Sequence, residues 1–288
     1  MAVSACNLCE PIDDPEPFLM HEDWAVEQKL DGHRVLIQCN NGSVRALNRD
    51  GIERTNPLPR ALRQAMASLP GEWTFDGELV GFTYHVFDLL EAPGYGEITS
   101  WPWEDRRGML DKLFSTAPNI PDCLKTTTWE ILPQRKLLLY AKAISKNVEG
   151  VVFKRRSATY RNARTTDWLK FKFTKTAEFV VTEMNRKGKE ESIGLGLYSP
   201  SGELVEAAGC RLLPQYMGKV TVGTVIEARY LYSNDGVKVV QPHMVGIRTD
   251  KKPSDCTQSQ LVMTSKEILT TGPTNDYREA EPQKESHQ

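Results

Sequence analysis

Glu27-Gln28-Lys29-Leu30-Asp31-Gly32-His33-Arg34, followed at once by Val35-Leu36-Ile37, is the stretch around which the rest of the chain is read. The apolar triplet reads as a buried strand. Ahead of it stand a lysine, a carboxylate two residues on, a glycine beside that carboxylate, and an arginine five residues from the lysine. Gly32 lets the backbone turn or approach a ligand closely. Asp31 can orient or neutralise an ammonium, and Arg34 offers a planar fork for a phosphate. Chemistry that needs an amine nucleophile would want this arrangement. Standing alone, a lysine before Asp-Gly is more often the exposed shoulder of a turn.

The 288 residues suffice for one large domain or two ordinary ones. No apolar run approaches the roughly 20 residues of a membrane span, and no secretory signal is visible at the N-terminus. A cytoplasmic location is expected, a host's cytoplasm if the chain is viral. The six cysteines are scattered and fit reduced thiols better than a disulfide framework. The net charge of -2 hides an asymmetry. Residues 1 to 28 carry seven acidic and no basic side chains, which with the tail set aside leaves 33 basic against 26 acidic between 29 and 264. A basic body is compatible with a nucleic-acid partner.

Strand signals run through Trp24-Ala25-Val26, Arg34 to Gln38 and Ser43 to Leu47, with Asn40-Asn41-Gly42 as a hairpin turn. Helices are expected over Leu58 to Ser68, Trp103 to Phe114 and Leu137 to Lys146, and further strands over Trp73 to Val80, Tyr84 to Leu89, Glu149 to Lys154 and Trp168 to Phe173. This is an α+β pattern without β-α-β alternation. Near 174 to 177 the texture changes to short strands separated by Gly, Pro, Ser and Asn turns, which suggests a small β-barrel. The expected organisation is one domain over 1–175, a barrel over 176–264, and a disordered tail over 265–288 with nothing to bury.

Four further stretches bear on Lys29. Phe75-Asp76-Gly77-Glu78 sets a carboxylate at a strand edge, and Tyr84-His85-Val86-Phe87-Asp88 sets an aromatic in the neighbouring strand. Glu149-Gly150-Val151-Val152 repeats the carboxylate-glycine theme, and alternation puts Lys170 and Lys172 on one face of their strand. Each has an ordinary reading: solvated strand ends, a core phenylalanine, an exposed lysine face.

Together and in this order they resemble the ATP-dependent DNA ligases of the covalent nucleotidyltransferase superfamily. Lys29-Leu30-Asp31-Gly32-His33-Arg34 is similar to the first motif, K-x-D-G-x-R, and Arg49 with Gly51 to the R-x-G turn after it. Asp76-Gly77-Glu78 resembles the third motif, Phe87-Asp88 its aromatic companion, Glu149-Gly150-Val151-Val152 the fourth and Lys170-Phe171-Lys172 the fifth. Arg248-Thr249-Asp250-Lys251 resembles the sixth, R-x-D-K. The resemblance runs from about residue 18 to about 262. Tyr160-Arg161, ahead of Trp168-Leu169-Lys170, favours the ligases over the capping enzymes.

The resemblance implies an adenylation domain with antiparallel sheets, ATP-grasp-like in its nucleotide handling, followed by an all-β OB-fold barrel. It implies ATP and Mg²⁺ (or Mn²⁺) as cofactors, nicked double-stranded DNA as partner, no membrane, and a monomer. Lys29 would attack the α-phosphate and carry AMP. Lys170 and Lys172 would lower its proton affinity and steady phosphate charge. Glu78 and Glu149 would hold the metal, Phe87 would stack on adenine, Glu27 would read the exocyclic amine, and Arg34 and Arg49 would hold the ribose or the nick's 5′-phosphate. Arg248, Asp250 and Lys251 would act on the leaving pyrophosphate. From Lys154 to Lys175 eight basic residues face one acidic, Asp167, a run expected to track a phosphate backbone. The rivals are an RNA ligase or capping guanylyltransferase, and a catalytically dead nucleic-acid-binding relative.

Overall fold

A computed structural model describes residues 6–116, 120–187, 190–233, 235–263 and 267–269. Three large sheets, a two-stranded ribbon of Tyr232–Ser233 with Val239–Val240, and four α-helices organise them. The first sheet has five strands in the order Leu8–Pro11, Arg164–Lys172, Gly150–Arg155, Trp24–Lys29 and Trp129–Glu130. The second runs Ser43–Asn48, His33–Asn40, Glu72–Val80, Thr83–Ala92 and Gly96–Glu97, with Leu124–Thr126 added in parallel to Thr83–Ala92. The Asn40-Asn41-Gly42 turn forms as expected, with φ of 44° at Asn41 and 95° at Gly42, values that asparagine and glycine tolerate.

Strand alternation divides the first sheet between two cores. Trp24, Val26, Val151 and Phe153 pack towards helix Pro133–Ser145 through its Leu139 and Ala143. Ala25, Trp168 and Tyr160 face the second sheet and meet Leu36, Leu47, Leu90 and Trp103. That inter-sheet core closes one end of the space between the sheets. The far side of the second sheet is covered by Arg60–Ala67 and Trp103–Thr116, which bury Leu62, Met66 and Leu110.

The third sheet is wholly antiparallel, in the order Leu204–Arg211, Glu190–Tyr198, Lys175–Lys187, Val225–Tyr230 and His243–Ile247. Its core, around Phe179, Leu195, Leu197, Ile226 and Tyr230, draws only on residues from Ala177 onward.

Several elements differ from the sequence expectation. The first strand, Leu8–Pro11, which precedes every strand expected from the sequence, lies parallel to Arg164–Lys172. Helix Pro133–Ser145 begins four residues early because Pro133 suits the first helical turn. The expected tail is also corrected in part: Leu269 is buried against the first sheet. The rest of 265–288, apart from Glu267 and Ile268, lies outside the described residues. No helix among the described residues is long and apolar enough to cross a membrane.

Candidate active site

Register builds the site in rows across the first sheet. Gly150 pairs with Lys29 on one side and Lys172 on the other, and Val152 pairs with Glu27 and Lys170. The third row is Ala25, Lys154 and Trp168. Alternation keeps the three rows on one face, towards the second sheet. Gly150 is required where it stands, because a Cβ there would overlap the Phe171 carbonyl oxygen. Gly32 is under the same restriction from the Leu79 carbonyl oxygen.

The opposite wall has its own device. In the second sheet Asp76 pairs with Asp88 but Gly77 pairs with Val86, so Phe87 is the extra residue of a β-bulge. A bulge re-aims the side chain it carries, and Phe87 lines the cavity between the sheets. That cavity has a volume of about 550 Å³. Glu27, Lys29, Arg34, Arg49, Glu78, Phe87, Glu149, Lys170 and Lys172, read from distant parts of the sequence, all line it.

Lys29 Nζ donates to Glu149 Oε2 at 2.7 Å, and Lys172 Nζ lies 3.3 Å from the other oxygen of that buried carboxylate. The Glu78 carboxylate makes no hydrogen bond or ion pair among the described residues. Burial pushes its carboxyl up to about 7, against the attraction of Lys29 and Arg34 and with the repulsion of Glu149 and Asp76. Burial lowers the Lys170 ammonium, and Lys172, Arg164 and Lys29 lower it further. Among the described residues no cluster of three or more His, Cys, Asp or Glu could hold a metal. Magnesium binds through one or two carboxylates plus substrate phosphates, so the pair Glu78 and Glu149 fits that mode.

Two expected roles look different in place. Arg34 is a half-buried fork on Asp76, with bonds of 3.0 and 2.6 Å, and Tyr160 Oη donates to the same carboxylate at 2.7 Å. Glu27 is buried and paired, 2.7 Å from Lys154 and 3.5 Å from Arg107, and its Oε1 accepts no hydrogen bond. Lys154 Nζ also sits 4.5 Å from the centroid of Phe87 and 4.3 Å from that of Trp168. Lys154 therefore does not belong to the expected DNA-tracking run. Alternation from Gly150 through Val152 is the signal that sends it inward instead. Most of that run is engaged within the chain: Arg155 and Arg161 with Asp167, Arg156 with Glu104, and Arg164 with Glu10. Arg49 stays exposed at the rim beside Asp50.

Arg248, Asp250 and Lys251 do not line the cavity. Arg248 is held on the third sheet by Asp250 at 2.8 Å, Glu178 at 2.9 Å and Glu227 at 3.8 Å. Its hydrogen bond holds the Asp250 carboxyl down at about 2. What the third sheet's side does bring to the site is Gln241, which accepts from Lys172 Nζ at 3.0 Å, while burial, together with the Asp31 and Glu149 carboxylates, raises the Tyr232 phenol.

A family model described as RNA ligase matches residues 22–172, from just before the strand that carries Lys29 to Lys172. The chain belongs to the ATP-dependent DNA ligase family. It is 34% identical over 229 residues to the multifunctional non-homologous end joining protein LigD of Pseudomonas aeruginosa, covering 70% of this chain and 26% of that one. DNA ligase 4 of Saccharomyces cerevisiae is 26% identical, over 62% of this chain and 24% of its own length. This ligase-family chain thus spans about a quarter of these curated relatives. Among solved structures, the ligase domain of M. tuberculosis LigD shares the fold with a TM-score of 0.53 at 23% identity, over 88% of this chain and 97% of that domain. A Lig E DNA ligase shares it at 0.65 and 17% identity, over 85% of this chain and all of that one. The shared fold is of the nucleotidyltransferase type, mostly sheet with few helices.

Proposed function

We propose that the chain is an ATP-dependent DNA ligase that seals 5′-phosphate/3′-hydroxyl nicks in duplex DNA, acting as a monomer. The observation that carries the reading is Lys29, set against Glu149 and Lys172 at the floor of a nucleotide-sized cavity between two sheets. In the first step the Lys29 nitrogen bonds to the α-phosphorus of ATP, the bond to pyrophosphate breaks, and the amine gives up its proton. AMP passes to the 5′-phosphate of the nick, and the 3′-hydroxyl then displaces it.

The resting Nζ is turned to Glu149, so bound nucleotide has to redirect it towards phosphorus. Lys170 and Lys172 supply fixed positive charge where negative charge develops. Glu78 and Glu149 would hold Mg²⁺, which when bound neutralises phosphate charge. Phe87 offers a face to the base, and Lys154 and Arg107 hold Glu27 in place behind it. Arg34, locked by Asp76, acts as a wall of the pocket more than as a free anion clamp. Residues 1–175 are read as the adenylation domain and 176–264 as an OB-fold barrel, a reading supported by the separate core of the antiparallel third sheet.

The test is incubation with α-labelled ATP and a divalent cation, then with nicked duplexes of DNA and of RNA. Label on Lys29 and sealing of the DNA nick are expected. Label drawn from GTP in place of ATP would favour a capping-type enzyme, and preference for RNA an RNA ligase. An unlabelled protein would leave only a nucleic-acid-binding relative.

A further inference from the structure

The run from Lys154 to Lys175 has little charge left for a duplex. Lys154 and all four of its arginines are ion-paired within the chain, and Lys170 and Lys172 line the cavity. The approach to the strand carrying Lys29 is acidic, with Asp13, Asp14, Glu16, Glu22 and Asp23 all exposed. The rim formed by the second sheet differs. From Arg45 to Arg63 the chain carries five arginines, no lysine and only two acids, Asp50 and Glu53. Ser43–Asn48 is the edge strand of that sheet, and Asn48 and Arg49 at its end line the cavity. The chain then turns back along this edge: Leu47 bridges to Glu53, and Arg54 N–H donates to the Ala46 carbonyl at 2.7 Å. Helix Arg60–Ala67 follows, packing Leu62 and Met66 against the same sheet, with Arg60 and Arg63 one turn apart on one face. Both acids are taken, Glu53 by Arg45 at 3.1 Å and Asp50 by Arg49 at 3.5 Å. Arg54, Arg60 and Arg63 make no ion pair or side-chain hydrogen bond among the described residues. Arg54 and Arg60 are exposed and Arg63 is half-buried.

We propose that Arg54, Arg60 and Arg63 form a rim that holds the phosphate backbone of the duplex beside the nick, outside the nucleotide cavity. The proposal rests on the ligase reading, which supplies a duplex but not the surface on which it lies. Like charges gathered without a carboxylate partner repel one another, a cost that a polyanion laid across them removes. Arginine suits the task, because its planar fork takes a phosphate through two hydrogen bonds and stays charged at any working pH. Such contacts fix position without reading sequence. The acidic approach before Lys29 repels the same backbone, so the two surfaces steer the duplex to the second sheet's edge together.

Binding of the full chain to a nicked duplex ending in a 3′-deoxy sugar, which cannot be sealed, tests this over a range of salt. Each phosphate contact contributes about 0.9 to the slope of log K against log salt. Arg54→Gln/Arg60→Gln/Arg63→Gln should therefore lower that slope by about two to three and weaken binding on the order of a hundredfold at about 0.1 M salt. Formation of the AMP adduct should match the parent, because none of the three lines the cavity. Arg54→Gln/Arg60→Gln spares the half-buried Arg63 and serves if the triple variant folds poorly, with the slope lower by about two. A parental slope at a parental Tm overturns the proposal. So does an equal loss in Lys112→Gln/Lys125→Gln, which removes the same charge from other elements and would make the effect one of net charge alone. Absence of both adduct and duplex binding in the parent sinks the ligase reading, whereas an adduct and an unchanged slope in the variants sink the arginine rim alone.

Discussion

At the scale of single residues the site turns on how charges are compensated. Lys29→Ala should abolish the AMP adduct, and Lys29→Arg should fail equally because a guanidinium stays protonated. Robust labelling of either variant, seen on a denaturing gel, would remove Lys29 from its role. Phe87→Ala should weaken ATP use by about 1–3 kcal/mol through the lost stack on the base. If Phe87 serves only to cover Lys154 and Trp168, Tm will drop while the KM for ATP holds. Glu78 makes a pH-dependent prediction. Its carboxyl titrates near 7 in the folded chain, against 4.5 for a glutamate free in water, so between those values the folded chain binds more protons than the unfolded one. Stability contributed at this site is then lost as pH rises through that window. Glu78→Gln should raise Tm at about pH 8 and leave it unchanged at about pH 4. An equal shift at both would exclude titration as the cause.

Elements set these residues in line. Lys29, Gly150 and Lys172 form one row only because Gly150 lets its strand lie tight against the Phe171 carbonyl. Gly150→Ala should force the two strands apart, destabilising the fold by about 1–3 kcal/mol. It should slow adduct formation more than the Tm change explains, and thermal melts beside adduct kinetics would reveal a parallel loss instead. The bulge at Phe87 belongs to this scale too. Perfect pairing would have set Phe87 opposite a strand neighbour, and the register shift turns it to the cavity.

The whole molecule poses the question of Arg248. The sixth motif lies outside the cavity, tied to Glu178, Glu227 and Asp250. Closure would exchange those carboxylates for phosphate oxygens. Arg248→Ala should therefore fail to form the AMP adduct yet seal a nick that already carries 5′-AMP. Surviving adduct formation with poor sealing would instead make Arg248 a DNA contact.

The sequence by itself determined the inventory of the site: the nine residues that meet in the cavity, the two restricted glycines, and the change of texture near Lys175. These are legible because motif spacing and strand alternation are local, and a period of two says which residues share a face. Tertiary structure alone decided the partners. That Asp76 takes up Arg34, that Lys154 pairs with Glu27, and that Leu269 returns to Gln28 depend on pairings 42, 127 and 241 residues apart. Such pairings are settled by the competition of buried charges and apolar surface for partners distant in sequence, which no local pattern encodes.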